Sequence, residues 1–102
     1  MPKKFDAQYL YRLRNEIPIA DFIANTLGLP CKHSEGYFRF LCPICHEFRT
    51  ATHKKTNLAR CFLCERNLNC IDLVMLVHRV KFVDAVNFLS QILRIYENKR
   101  KI

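Results

Sequence analysis

Hydrophobic positions recur along this chain at two periods, and the changes of period divide it into parts. Phe5, Tyr9, Leu10 and Leu13 fall at helical spacing beside Asp6, which predicts a short amphipathic helix. Pro18 suits a new first turn, and Ile19, Phe22, Ile23 and Leu27 make a second apolar stripe that Gly28 and Pro30 end. Two helices packed together as a base are the simplest account of this part. From Cys31 the period shortens to two. Residues 31–34 and 37–41 flank the turn pair Glu35-Gly36 and predict a β-hairpin, with Phe38 and Phe40 on one face and Tyr37, Arg39 and Leu41 on the other. A second hairpin is expected from residues 49–53 and 58–62, turning through Lys54-Lys55-Thr56-Asn57, with Leu58, Arg60 and Phe62 sharing a face.

The helical period returns at Asn69. Asn69 and Asp72 form a capping-box-like pair ahead of Ile71, Val74, Met75 and His78. A break over residues 79–81 precedes a last helix with Phe82, Ala85, Val86, Leu89, Ile92 and Leu93 as its stripe. Residues 97–102 read as a polar, basic tail, frayed or a linker.

Between the two helical parts lie Cys42-Pro43-Ile44-Cys45 and Cys61-Phe62-Leu63-Cys64, separated by fifteen residues. A CxxC pair on a tight turn aims two thiolates at one ion, and two such pairs complete the tetrahedral set that Zn²⁺ takes in closed structural sites. The spacing therefore predicts a zinc ribbon with one structural zinc on Cys42, Cys45, Cys61 and Cys64. Four thiolates leave no position for water or substrate, so this metal holds the fold and does no chemistry. His46, directly after Cys45, is an alternative ligand, and iron in an all-thiolate site is an alternative metal. A redox dithiol normally occurs once, beside a βαβ pattern that this chain lacks. Disulfides would need an oxidising compartment. The start Met1-Pro2-Lys3-Lys4-Phe5 has no apolar segment or cleavage site of a secretory signal, so the chain reads as cytoplasmic and reduced. Of the two remaining cysteines, Cys70 beside Ile71 reads as a packing residue.

The whole is then one α+β domain over residues 1–102: a helical base (1–30), a small antiparallel β-sheet zinc ribbon (31–68), two C-terminal helices (69–96) and the tail (97–102). No apolar run approaches the length of a membrane span.

Charge adds a partner. The chain carries 17 Lys and Arg against 9 Asp and Glu, a formal +8, from which four thiolates and one divalent cation remove two units. Nucleic acid is the commonest partner for such an excess. Lys32, Arg39, Arg49, Lys54, Lys55, Arg60 and Arg66 lie between Cys31 and Cys70, opposed only by Glu35, Glu47 and Glu65. A sheet face that mixes Tyr37 with Arg39 and Arg60 suits single-stranded nucleic acid, because bases stack on rings while cations track phosphates. The bland account of the same face is a wet sheet surface whose long side chains cover apolar atoms.

The two cysteine pairs, followed by Ile71-Asp72-Leu73-Val74-Met75 and by Phe82-Val83-Asp84-Ala85-Val86-Asn87-Phe88-Leu89, resemble the N-terminal zinc-binding domain of bacterial DnaG-type DNA primases. The likeness extends to residues 17–23 and 36–42 and spans about residues 5 to 95. The family presents Cys-Pro-x-His at the first knuckle, so Cys45 stands where its histidine is, and Leu63 and residues 65–69 replace glycines of its second knuckle. Glu47, Arg49 and Thr50 only echo its loop motif. The chain is similar to a divergent, all-cysteine member, of the kind a phage or mobile element carries.

The resemblance implies a single-stranded-DNA-binding module that reads template and assists primer synthesis in DNA replication, with a primase polymerase domain or a replicative helicase as partner. Carried over by position, Arg39 and Arg60 match basic or polar strand positions beside the knuckles, and Arg49 the lysine of the loop. With Tyr37, Lys54 and Lys55 these are the candidate nucleic-acid contacts. No cluster of acidic residues for Mg²⁺ is present, since Asp6, Asp21, Asp72 and Asp84 are scattered, so no catalytic residue is expected here. The alternative is a free-standing protein-interaction or regulatory zinc ribbon.

Overall fold

The computed structural model describes residues 5–100, and the chain start at residues 1–4 and the end of the expected tail at 101–102 lie outside them. Helix α1 (Ala7–Asn15) begins at Asp6, whose carboxylate accepts from the Gln8 amide, and carries Arg12 and Arg14 in its last turn, where the helix dipole favours cations. Its buried Leu13 joins the common core, and the helix lies against the two C-terminal helices, tied to the last by Tyr9 donating to Ser90 Oγ (2.5 Å) and by the Arg12–Glu97 ion pair (2.7 Å).

The second stripe is helical too, but only α2 (Ile19–Asp21) is α-helical. Phe22–Thr26 widens into a π-helical segment in which the Leu27 amide reaches back to the Phe22 carbonyl (2.9 Å). Gly28, at φ +66°, ends it, as the sequence requires.

Strands β1 (Cys31–Ser34) and β2 (Tyr37–Phe40) pair antiparallel about Glu35 and Gly36, both at positive φ, the two-residue turn that matches strand twist. The expected alternation holds: Phe40 is fully buried and Phe38 packs against the core, while Tyr37 is 55 % exposed. A second sheet of order β3-β4-β5 is formed by β3 (Thr50–His53), β4 (Leu58–Cys61) and β5 (Arg66–Leu68). Strand β5 was not foreseen. Arg66-Asn67-Leu68 has little β-propensity, and it becomes a strand because the second knuckle folds the chain back alongside β4.

Thr50 joins the two sheets. Its hydroxyl donates to the Phe40 carbonyl (2.5 Å) and accepts from the Phe40 amide (2.8 Å), satisfying β2 where no strand hydrogen-bonds it.

Helix α3 (Cys70–His78) has the capping box in full: Asn69 Oδ1 accepts from the Asp72 amide (2.9 Å) and Asp72 accepts from the Asn69 amide (3.0 Å). Arg79, in left-handed conformation, caps its end, and α4 (Phe82–Arg100) follows. Residues 97–100, expected as tail, are thus part of this helix. One core joins all parts: Leu13, Phe22, Ile23, Phe40, Ala59, Leu68, Leu73, Val74, Val86 and Leu89 are buried in contact. Cys70 is among them, its thiol directed at the Ile17 carbonyl and pushed up to about 12 by burial, as befits a packing residue. Among the described residues no helix is long and apolar enough to cross a membrane.

Candidate metal centre and the sheet face beside it

Two turns of one design bring the four thiols together. Cys42–Cys45 comes just after β2 and Cys61–Cys64 starts on the last residue of β4, and in each the residue after the second cysteine, His46 or Glu65, adopts a positive φ (60° and 54°) that turns the chain back. Backbone amides then point at sulfur: Ile44 N to Cys42 Sγ (3.4 Å) and Cys64 N to Cys61 Sγ (3.3 Å). The four Sγ atoms lie within 4.8 Å of one another, with Cys42–Cys64 at 3.9 Å and Cys45–Cys61 at 3.6 Å. Tetrahedral ligation at a Zn–S distance of about 2.3 Å puts sulfurs about 3.8 Å apart, so the set fits one zinc ion. Cys45, not the exposed His46, completes it.

Without a cation these thiols cannot all ionise. Burial acts to raise Cys61, but the Cys64 amide and the neighbouring sulfurs outweigh it and bring Cys61 down to about 7. Burial and the same neighbours push Cys64 up to about 12, and burial foremost raises Cys45. Metal binding must therefore displace protons.

Left-handed backbone costs an ordinary residue about 1 kcal/mol relative to glycine. Replacing His46 or Glu65 by glycine is therefore expected to raise stability by about 0.5 to 1 kcal/mol each, with zinc content unchanged. Zinc analysis with thermal melts checks this, and loss of metal in His46→Gly would show that the imidazole is a ligand after all.

One side of the sheets forms a groove next to this centre. In it Ala51, Arg60 and Asn67 are cross-strand neighbours, and Phe62, 54 % exposed between two of the cysteines, rises beside them. The Arg39 guanidinium lies 5.3 Å from the centroid of the Tyr37 ring, and that of Arg60 5.7 Å from Phe62. Three cavities share Phe62 as a wall. One of about 410 Å³ includes Lys32, Arg39, Phe48 and Arg49; one of about 250 Å³ is lined by Tyr37, Arg39, Ala51 and Phe62; one of about 340 Å³ includes Tyr37, Arg60 and Asn67.

Of the expected contacts, Tyr37, Arg39, Arg49 and Arg60 therefore line neighbouring cavities that share Phe62 as a wall. Lys54 instead lines a different cavity, with Pro18, Ile19 and Phe38 beside the helical base, and Lys55 is exposed on the β3–β4 turn. Arg39 is also anchored to the fold, donating to the Thr50 carbonyl (2.9 Å). Sequence reasoning omitted Phe62, Asn67, Lys32 and Phe48 from this face, although the alternation that put Phe62 beside Arg60 contained the signal for the first of them. Lys32 sits 4.9 Å from the Phe48 ring centroid.

No curated protein sequence matches this chain. A family model described as the CHC2 zinc finger, the zinc ribbon of DnaG, matches residues 5–102. With four cysteines placed to hold one zinc in an α+β ribbon and a family match over nearly its whole length, this chain belongs to the CHC2 zinc finger family of DnaG primases.

Proposed function

We propose that this domain binds single-stranded DNA in the groove beside its zinc centre, reading template for primer synthesis by a primase polymerase domain acting with it in the cytoplasm. The observation that carries this is the pairing of exposed rings with arginines along one groove, Tyr37 with Arg39 and Phe62 with Arg60. Rings offer stacking worth about 1 to 3 kcal/mol per base, and the cations meet the phosphates between them. Double-stranded DNA has no free base faces to stack there. The domain contributes no catalytic step in this reading, because an all-thiolate zinc has no open coordination position.

Binding of labelled single-stranded and duplex oligonucleotides across a salt series tests it. The single strand is expected to bind more tightly, with affinity falling steeply as salt rises. Arg49→Ala should weaken binding and reduce the salt slope by about 0.7, one phosphate contact on a single strand. Phe62→Ala should weaken binding about 5- to 100-fold with the slope nearly unchanged. Failure of the folded, zinc-loaded protein to bind single strands at low salt would overturn the proposal.

A further inference from the structure

The cavity of about 340 Å³ is lined by two side chains that are hydrogen-bonded to each other across neighbouring strands, Arg60 and Asn67. Tyr37, Ala51 and Phe62 line it, and Arg60 and Asn67 reach it from neighbouring strands. Arg60 Nη1 donates to Asn67 Oδ1 at 3.1 Å. This bond fixes the amide, since a guanidinium has only donors and must face the oxygen. The Asn67 NH₂ is left to donate elsewhere, next to the remaining N–H groups of Arg60.

Resting on the reading of this groove as a single-strand site, we infer that the cavity holds one nucleobase and that Asn67 and Arg60 select its identity. Two adjacent donors require a base edge with two adjacent acceptors. Guanine has one in O6 and N7, and cytosine has one in N3 and O2, which a single strand leaves exposed. Adenine sets an amino donor beside N1 and N7. Thymine separates its two carbonyls by an N–H and places a methyl beside O4. The site therefore prefers guanine or cytosine over adenine or thymine at one position of the strand. Asn67 lies on the exposed face of β5, so its replacement leaves the buried Leu68 and the knuckle intact.

The test uses the full zinc-loaded chain and short oligo-dT strands in which one central nucleotide is dT, dA, dC or dG. The wild-type protein is expected to bind the dC and dG strands about tenfold more tightly than the dA strand. In Asn67→Ala this preference should shrink to within about twofold. Equal wild-type affinity for all four strands overturns the base-selecting role and leaves the groove as an unspecific single-strand site. A preference that survives in Asn67→Ala overturns the assignment to Asn67. If wild type binds none of the strands, the single-strand reading fails, and this inference with it.

Discussion

Removal of zinc is expected to unfold this protein well beyond the ribbon itself. Structural zinc in small sites contributes about 10 to 16 kcal/mol, as much as or more than the whole stability of a typical domain. The metal holds the ends of the sheets: β5 is an edge strand paired with β4 directly after the second knuckle, and the knuckle turns hold left-handed backbone at His46 and Glu65. The sequence alone suggests loss of residues 31–70. The structure extends that, because Phe40, Ala59 and Leu68 of the ribbon lie in the same core as Leu13, Leu73, Val86 and Leu89 of the helices. Chelation should thus lower the melting temperature by tens of degrees or abolish the transition, with helical signal falling as well. Cys61→Ser, at a fully buried ligand, should do the same at saturating zinc. Acid acts in the same direction. Zinc takes thiolates, so each proton displaced on binding makes zinc affinity fall about tenfold per unit of acidification. A chelator-treated protein with an unchanged melt would show that zinc does not hold this fold.

The second large effect belongs to Asn57, a residue with no role in metal or groove. It sits at the end of the β3–β4 turn at φ +53°, a conformation that asparagine tolerates. Its side chain reaches the helical base some forty residues earlier. Oδ1 accepts from the Ile19 amide (3.0 Å), and Nδ2 donates to the carbonyls of Arg14 and Ile17 (both 2.7 Å). Helix ends leave such groups without internal partners, and Pro18 provides no side-chain cap for α2. Asn57 thus serves the end of α1 and the start of α2 together. Removing a partner from buried groups costs about 1 to 3 kcal/mol for each one left unsatisfied. Asn57→Ala is expected to lose about 3 to 5 kcal/mol, a fall of about 15 °C or more in melting temperature, with zinc stoichiometry unchanged. Asn57→Gly accepts positive φ freely, so its loss reports the hydrogen bonds without the added backbone strain. A shift below about 3 °C in both variants would remove the bridge from the account of stability.

These two cases divide what could be read from the chain from what could not. The four ligands, the Glu35-Gly36 hairpin, the capping box of Asn69 and Asp72 and the apolar stripes of the helices were all legible in the sequence. Each depends on residues within a few positions of one another, where spacing alone sets geometry. The sidedness of Tyr37, Arg39 and Arg60 was legible for the same reason, because alternation along a strand is local. The joining of the two CxxC pairs is the exception, a long-range contact that spacing reveals because thiolates have one common partner in a metal ion.

Other long-range matters were decided only by the tertiary structure. Strand β5 exists because β4 offers it an edge, and its own residues carry no strand signal. That helix α1 packs on α3 and α4 was settled by folding, since one amphipathic stripe does not name the stripe it meets. Thr50 and Asn57 look like ordinary turn and strand residues until the backbone groups they satisfy, ten and about forty residues away, come within reach. Asn67 gains its direction only from Arg60 on the neighbouring strand. The sequence by itself determined the four clustered cysteines, the two hairpins and the principal helices, because these follow from period and spacing. Folding decided which cations share a groove with Phe62 and which, like Lys54, turn to the other side, because that depends on how two sheets and four helices bury one common core.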